Sequence, residues 1–231
     1  SRDAALAETD RQIAVLAHDL RNPLGTLKNG LLMLRRSESG PAATRTLDRL
    51  DRAADRMGGM IRDLLDFARA GAGTMSILPA PMDLGVLCRE VLEEFETADP
   101  NGKIELTLDG DLSGEWDRAR LYQSLSNLVG NATHYGRGRA EVGVRGLDEH
   151  VELVVHNGGP PIPKERLPVI FRPFERGQED GTGLGLGLYI VDAITRAHGG
   201  TVQVASSEAS GTTFTLRVPR RPVAPVHATA G

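Results

Sequence analysis

HDLRNPL, residues 18–24, sets a histidine, a neighbouring carboxylate and a proline inside a segment that otherwise keeps a heptad rhythm. Ile13, Ala17, Leu20, Leu24, Leu27, Leu31 and Leu34 recur at alternating steps of 4 and 3. That is the apolar seam of a helix that packs on other helices. His18 stands one residue off the seam and is expected on the flank of the bundle, in water. A solitary histidine near an apolar face is ordinarily structural. Two neighbours argue otherwise. Pro23 removes a backbone donor one turn later and loosens the helix there. Asp19 can hold one ring nitrogen and leave the other nucleophilic.

Outward from this stretch, SESGPAA at 37–43 breaks the helix at Gly40 and Pro41. A second seam follows through Leu47, Leu50, Ala54, Met57, Ile61, Leu64 and Ala68. Two matching seams and a short connector predict an antiparallel helical hairpin over residues 1–70. Alone, the hairpin leaves apolar surface open. A second copy would close it into a four-helix bundle, hence a homodimer; the alternative is packing on the chain's own globular domain. GAGTMSILPAPM at 71–82 reads as a linker. Beyond it the periodicity changes. Asp83 can cap a helix with Leu84, Leu87, Cys88, Val91, Leu92 and Phe95 on one face. Strands are expected at 103–108, 140–145, 151–156, 201–205 and 212–218, and helices at 117–135 and 186–198. The fold class is therefore α plus α/β: the hairpin, then an α/β sandwich over 83–219. Its Gly- and Pro-rich loop at 158–184 is long enough to be a lid. Residues 220–231 are expected to be a disordered tail.

Composition narrows the partners. The 231 residues are 40% apolar and 25% charged, and only 4% aromatic, so the core must be built from Leu, Val, Ile and Ala. A net charge of -4 argues against nucleic acid as the main partner, because phosphate binding needs a basic surface. Cys88 is the only cysteine, which excludes an internal disulfide and a Cys-rich zinc site and fits a cytoplasmic location. No apolar run approaches the length of a membrane span, so no direct insertion is expected. The chain lacks a starting Met and opens inside a helix, so an upstream sensor region is expected to be missing.

The sandwich carries its own motifs. In NLVGNATHYG, 127–136, Asn127 and Asn131 lie four apart on one helix face, where neutral amides can meet Mg²⁺ and phosphate oxygens. His134 and Tyr135 extend the same end; surface or core hydrogen bonding is the plainer reading of these asparagines. HNGGPPIP, 156–163, follows a strand: Asn157 can accept a hydrogen bond from a base amino group, although a simple turn would serve as well. GTGLGLGLYI, 181–190, offers backbone N–H groups of Gly183, Gly185 and Gly187 at a helix start, a setting for phosphate. It is neither a Walker loop nor a Rossmann fingerprint. In FRPFER, 171–176, Phe171 and Phe174 can order the lid, and Arg176 can reach a γ-phosphate or make a surface ion pair.

In this order and spacing the motifs resemble those of the cytoplasmic core of sensor histidine kinases of two-component systems, over about residues 8–218. HDLRNPL resembles the H box, NLVGNA the N box, HNGGPPI the G1 box, FRPF the F box, GLGLYI the G2 box, and GTTF at 211–214 the late glycine motif. The resemblance implies a dimerisation and phosphotransfer hairpin followed by an ATP-binding domain of the type shared with gyrase, Hsp90 and MutL. It implies ATP and Mg²⁺ as cofactors, autophosphorylation of His18, and transfer to an aspartate in the receiver domain of a response regulator. By this resemblance Asp19 orients the imidazole, Asn22 positions water in the reverse, phosphatase direction, and Arg176 assists transfer. Asn131 is the metal ligand and Asn127 stands near the phosphates. Asn157 and Gly159 hold adenine, with Ile162, Phe171, Phe174, Leu184, Leu186, Leu188 and Thr212 completing the nucleotide site. Gly185 and Gly187 let the lid close. Asn157 stands where the family usually carries Asp, Pro161 where it carries Gly, and His134 where Lys or Arg is common. These departures motivate two alternatives: a phosphatase-dominant enzyme, and a non-catalytic nucleotide-sensing dimeric scaffold. The NG-PPIP and GLGLGLYI forms are similar to kinases attached to bacteriophytochromes.

Overall fold

A computed structural model describes residues 24–32, 34, 41–71, 75–175 and 184–221. Residues 24–32 are helical. The first named helix, α1, runs Pro41–Gly71. It starts at the proline itself, since the missing N–H costs nothing in a first turn, so residues 41–43 of the expected connector are helical. Gly30 meets α1 so closely that a Cβ there would lie 2.5 Å from Leu50 Cδ2.

Along α1 the alanine that buries is Ala53, not the seam residue Ala54. Ala53, Met57, Met60, Leu64 and Phe67 make a second heptad stripe, and its last three members pack on the core of the sandwich. The first stripe is open at Leu47 and Ile61, each 49% exposed, while Leu50 between them is buried.

The sandwich begins inside the expected linker. Strand β1, Ala80–Asp83, pairs antiparallel with β3, Ser113–Trp116, a ribbon too short and too rich in Pro and Gly to be expected from pattern. The main sheet has the order β2 (Lys103–Asp109), β4 (Arg139–Gly146), β5 (His150–Asn157), β7 (Gly211–Pro219), β6 (Thr201–Ser207). β2 and β4 run parallel, and the other neighbours are antiparallel. Helices α2 (Leu84–Ala98), α3 (Arg118–Tyr135) and α4 (Gly187–Ala197) supply the other layer. Strand alternation sets the core: Val151, Leu153, Val155 and Asn157 of β5 are buried, while His150, Glu152, Val154 and His156 are only half-buried. Asp83 and Asp117 cap α2 and α3 by accepting from the amides of Val86 and Arg120. Among the described residues no helix is long and apolar enough to cross a membrane.

Candidate functional site

α3 carries Asn127 and Asn131 one turn apart. Asn127 Nδ2 donates to the carbonyl of Gly187, the first residue of α4, at 3.3 Å. This bond ties the asparagine-bearing helix to the helix that follows the glycine-rich stretch. Asn131 is half-buried, and no hydrogen bond to a described residue engages its carboxamide.

Three glycines then close the backbone around Asn157, the last residue of β5 and 5% exposed. A Cβ on Gly136 would stand 2.1 Å from the Arg139 carbonyl and 3.1 Å from Asn157 Cβ. On Gly159 it would stand 2.2 Å from the Tyr135 carbonyl. On Gly211, whose φ is +66°, it would stand 2.2 Å from the Asn157 carbonyl. The end of α3, the turn after β5 and the start of β7 therefore meet at one point. Thr212 faces Asn157 across the β5–β7 ladder and is buried. Its hydroxyl lies 2.7 Å from that of Ser206, which accepts from the Ile162 amide at 2.8 Å. Gly211 is the glycine of the GTTF motif, whereas Gly136 and Ser206 were not singled out in the sequence. The signal was there for Gly136, which follows Tyr135 at a helix end.

The remaining expected residues divide. His134 and Tyr135 make an edge contact at the end of α3, with Tyr135 exposed. Phe171 sets its edge on Phe214. Gly185 has φ +70°, and Leu188 is half-buried. Leu184 and Leu186 are core side chains, 2% and 1% exposed, so only their main chain is available to a ligand. Apolar side chains on either side of a positive-φ glycine both find the core. His18, Asp19, Asn22, Arg176 and Gly183 lie outside the described residues.

Phe174, at φ +64°, reaches away from this site. Its ring packs edge-on against Phe67 of α1, 5.1 Å between centroids, and Phe67 also meets Tyr189 of α4 at 5.6 Å. Beside these rings Asp66 of α1, 4% exposed, accepts from Arg120 Nη1 at 2.7 Å and Gln123 Nε2 at 2.8 Å. A cleft of about 530 Å³ lies here, lined by Arg62, Asp63, Asp66, Arg120, Tyr122 and Gln123, and it reaches Asn127. Burial, reinforced by the Asp66 carboxylate and opposed by Arg62, pushes the Asp63 carboxyl up to about 6. None of these contacts follows a sequence period, because they join α1 to segments between about 55 and about 120 residues later in the chain.

His198, at the C-terminal end of α4, ties that helix to the start of α3. The Asp117 amide can only donate, so His198 Nε2 accepts from it at 3.0 Å, and Nδ1–H donates to the Ile194 carbonyl at 2.8 Å. Burial holds its pKa below the ordinary value, so the ring stays neutral.

Residues 8–73 match the family model described as "His Kinase A (phospho-acceptor) domain", and residues 116–222 match "Histidine kinase-, DNA gyrase B-, and HSP90-like ATPase". The chain is 34% identical over 226 residues to a bacteriophytochrome of Pseudomonas aeruginosa, an alignment covering 93% of this chain and 31% of that protein. Histidine kinase ThkA in complex with response regulator protein TrrA superimposes with a TM-score of 0.67 at 26% identity, over 96% of this chain and 65% of that one. Full-length ShkA in complex with AMPPNP gives a TM-score of 0.67 at 28% identity, over 93% of this chain and 46% of that one. The chain thus spans about a third of the bacteriophytochrome and under half of ShkA. A phospho-acceptor segment followed by an ATPase sandwich places the chain in the sensor histidine kinase family of two-component systems.

Proposed function

We propose that the chain binds ATP in the sandwich, transfers its γ-phosphoryl group to His18, and passes that group on to an aspartate of a response regulator. The observation that carries this reading is the hydrogen bond of Asn127 to Gly187, which ties the asparagine helix to the helix start that follows the glycine-rich stretch. The turn that holds Asn157 borders the other end of α3.

Asn157 and Thr212 face the base, and the α4 N-terminus with Gly185 and Gly187 faces the phosphates, where helix N–H groups favour anions. The donor set fits Mg²⁺. Among the described residues no cluster of three His, Cys, Asp or Glu exists to cage a metal, whereas Mg²⁺ is commonly held by one or two protein oxygens together with substrate phosphates. Asn131 is the residue that would hold it, and the ion supplies charge neutralisation when bound. A neutral nitrogen of the His18 ring attacks the γ-phosphorus. The bond to the β,γ-bridging oxygen breaks, and ADP leaves with that electron pair. Asp19 holds the other ring nitrogen and its proton, and Arg176 stabilises charge on the transferring group.

The half-exposed stripe of Leu47 and Ile61 is the surface on which a second copy closes the bundle. Docking of α1 through Asp66 and Phe67 holds the sandwich in a resting arrangement, which must loosen for the γ-phosphate to reach His18. The test is incubation with γ-labelled ATP and Mg²⁺ beside His18→Ala. Acid-labile label on the parent alone is expected. Label on both, or on neither while ATP still binds, overturns the assignment.

A further inference from the structure

We infer that the base pocket built around Asn157 accepts guanine as well as adenine nucleotides. This rests on the reading above that Asn157 meets the base. Three observations carry it.

The first concerns Asn157 itself. It is 5% exposed and wedged between the backbones at Gly136, Gly159 and Gly211, so its position is fixed by main chain. Yet no hydrogen bond to a described residue sets which way its carboxamide faces. A carboxamide presents an oxygen acceptor and an N–H₂ donor of nearly the same shape, and a half-turn exchanges them. A carboxylate of that shape can only accept.

The second concerns the neighbouring hydroxyls. Thr212 and Ser206 lie 2.7 Å apart, and either one can be the donor of the pair. Ser206 keeps its place by accepting from the Ile162 amide, whichever way the pair is polarised. The hydroxyl pair therefore carries no fixed polarity.

The third is the absence of formal charge from this set. Asn157, Thr212 and Ser206 are all neutral, so no fixed negative charge repels a carbonyl oxygen. Adenine offers an amino donor at its six-position, and guanine offers a carbonyl acceptor there. Sites discriminate strongly when one analogue leaves a buried polar group without a partner. Here the carboxamide turns and the hydroxyl pair reverses, so either purine finds a partner.

The experiment uses the 231-residue chain with Mg²⁺ and a fluorescent trinitrophenyl-ATP probe, displaced in turn by ATP and by GTP. ATP and GTP are expected to displace the probe within about tenfold of each other. In Asn157→Asp the preference for ATP is expected to widen by at least about tenfold. GTP weaker than ATP by about a hundredfold or more in the parent overturns the inference and leaves the nucleotide-site reading standing. An unchanged preference in Asn157→Asp overturns it equally. Failure of ATP itself to displace the probe removes the nucleotide-site reading, and this inference falls with it. Should Asn157→Asp not fold, the parent's ATP-to-GTP ratio decides alone.

Discussion

α1 and the sandwich solve the burial problem in opposite ways. The sandwich closes on itself: Trp116, Leu128, Val129, Val151, Ile190 and Ile194 are all 0% exposed. α1 spreads its apolar residues over two stripes and closes neither within one chain. One stripe lends Met60, Leu64 and Phe67 to the sandwich, and the other leaves Leu47 and Ile61 about half exposed. The sandwich thus has its stability built in, while the helix depends on what it is docked against. A unit that changes partners during a reaction needs that kind of conditional burial.

The largest expected effect comes from breaking the sandwich at Trp116. The indole is fully enclosed and donates to the Pro219 carbonyl, closing the ribbon onto the end of the last strand. Trp116→Ala should cost about 3–5 kcal/mol in urea unfolding, from lost transfer energy plus the cavity. Ile61→Ala, on the open stripe, should cost less than about 1 kcal/mol. Equal losses at the two sites would erase the contrast between them.

Next is the joint between the two regions. Asp66 is buried against Arg120, whose side chain is 19% exposed, so removing the carboxylate strands a largely enclosed guanidinium. Asp66→Ala should cost about 2–3 kcal/mol. A double-mutant cycle with Arg120→Ala should return coupling of about 1–3 kcal/mol. Coupling near zero would mean that the aromatic contact of Phe67 with Phe174 and Tyr189 does the holding.

One turn away on α1, Asp63 should respond with the opposite sign. Its carboxyl is raised to about 6 from an ordinary value of 3.8 by burial and by Asp66. The folded chain therefore holds this proton to higher pH than the unfolded chain. Stability is lost as pH rises from about 4 to 6 and stays lowered above that. Asp63→Asn keeps the shape without the charge. It should raise stability by about 1–2 kcal/mol at pH 7.5 and change little at pH 4, read from thermal or urea midpoints across pH. A gain of equal size at both pH values would show that the charge is not the cause.

These sites also mark what was legible beforehand. The sheet strands, α3, α4 and the helicity of α1 follow from periods of 2, 3.6 and 3.5, which belong to single elements. Asn127 and Asn131 could be paired because a helix fixes their spacing. β1 and β3 could not be read, since four residues in a Pro- and Gly-rich setting carry no period. The second stripe on α1 was equally hidden: Met57 and Leu64 serve both stripes, and the pattern alone cannot tell that Met60, Leu64 and Phe67 pack on the sandwich core. Asp66 with Arg120, and Gly136 with Asn157, are meetings of segments far apart in the chain. Burial of Leu184 and Leu186 escaped for a related reason, because a glycine-rich stretch reads as loop wherever its leucines point.

The smallest expected effect lies inside the sandwich, at the one place where its closure is imperfect. Ser124, in the middle of α3, is 0% exposed, and its hydroxyl is the one fully buried side-chain oxygen or nitrogen among the described residues without a hydrogen-bond partner. It faces an apolar space lined by Leu84, Leu87, Cys88, Leu121, Leu125 and Leu153. That space has a volume of about 10 Å³, at the lower limit for one water, and offers few polar groups to hold it. A buried hydroxyl without a partner forfeits the hydrogen bonds it makes to water in the unfolded chain. Ser124→Ala removes that loss and substitutes a better helix former, at the expense of a few dispersion contacts. The unfolding free energy read from urea titration should therefore rise by about 0.5–1 kcal/mol, although the substitution deletes an atom from a packed core. A fall of similar size would mean that the hydroxyl finds a partner in solution, and that the sandwich is closed more completely than α1 by polar as well as apolar measure.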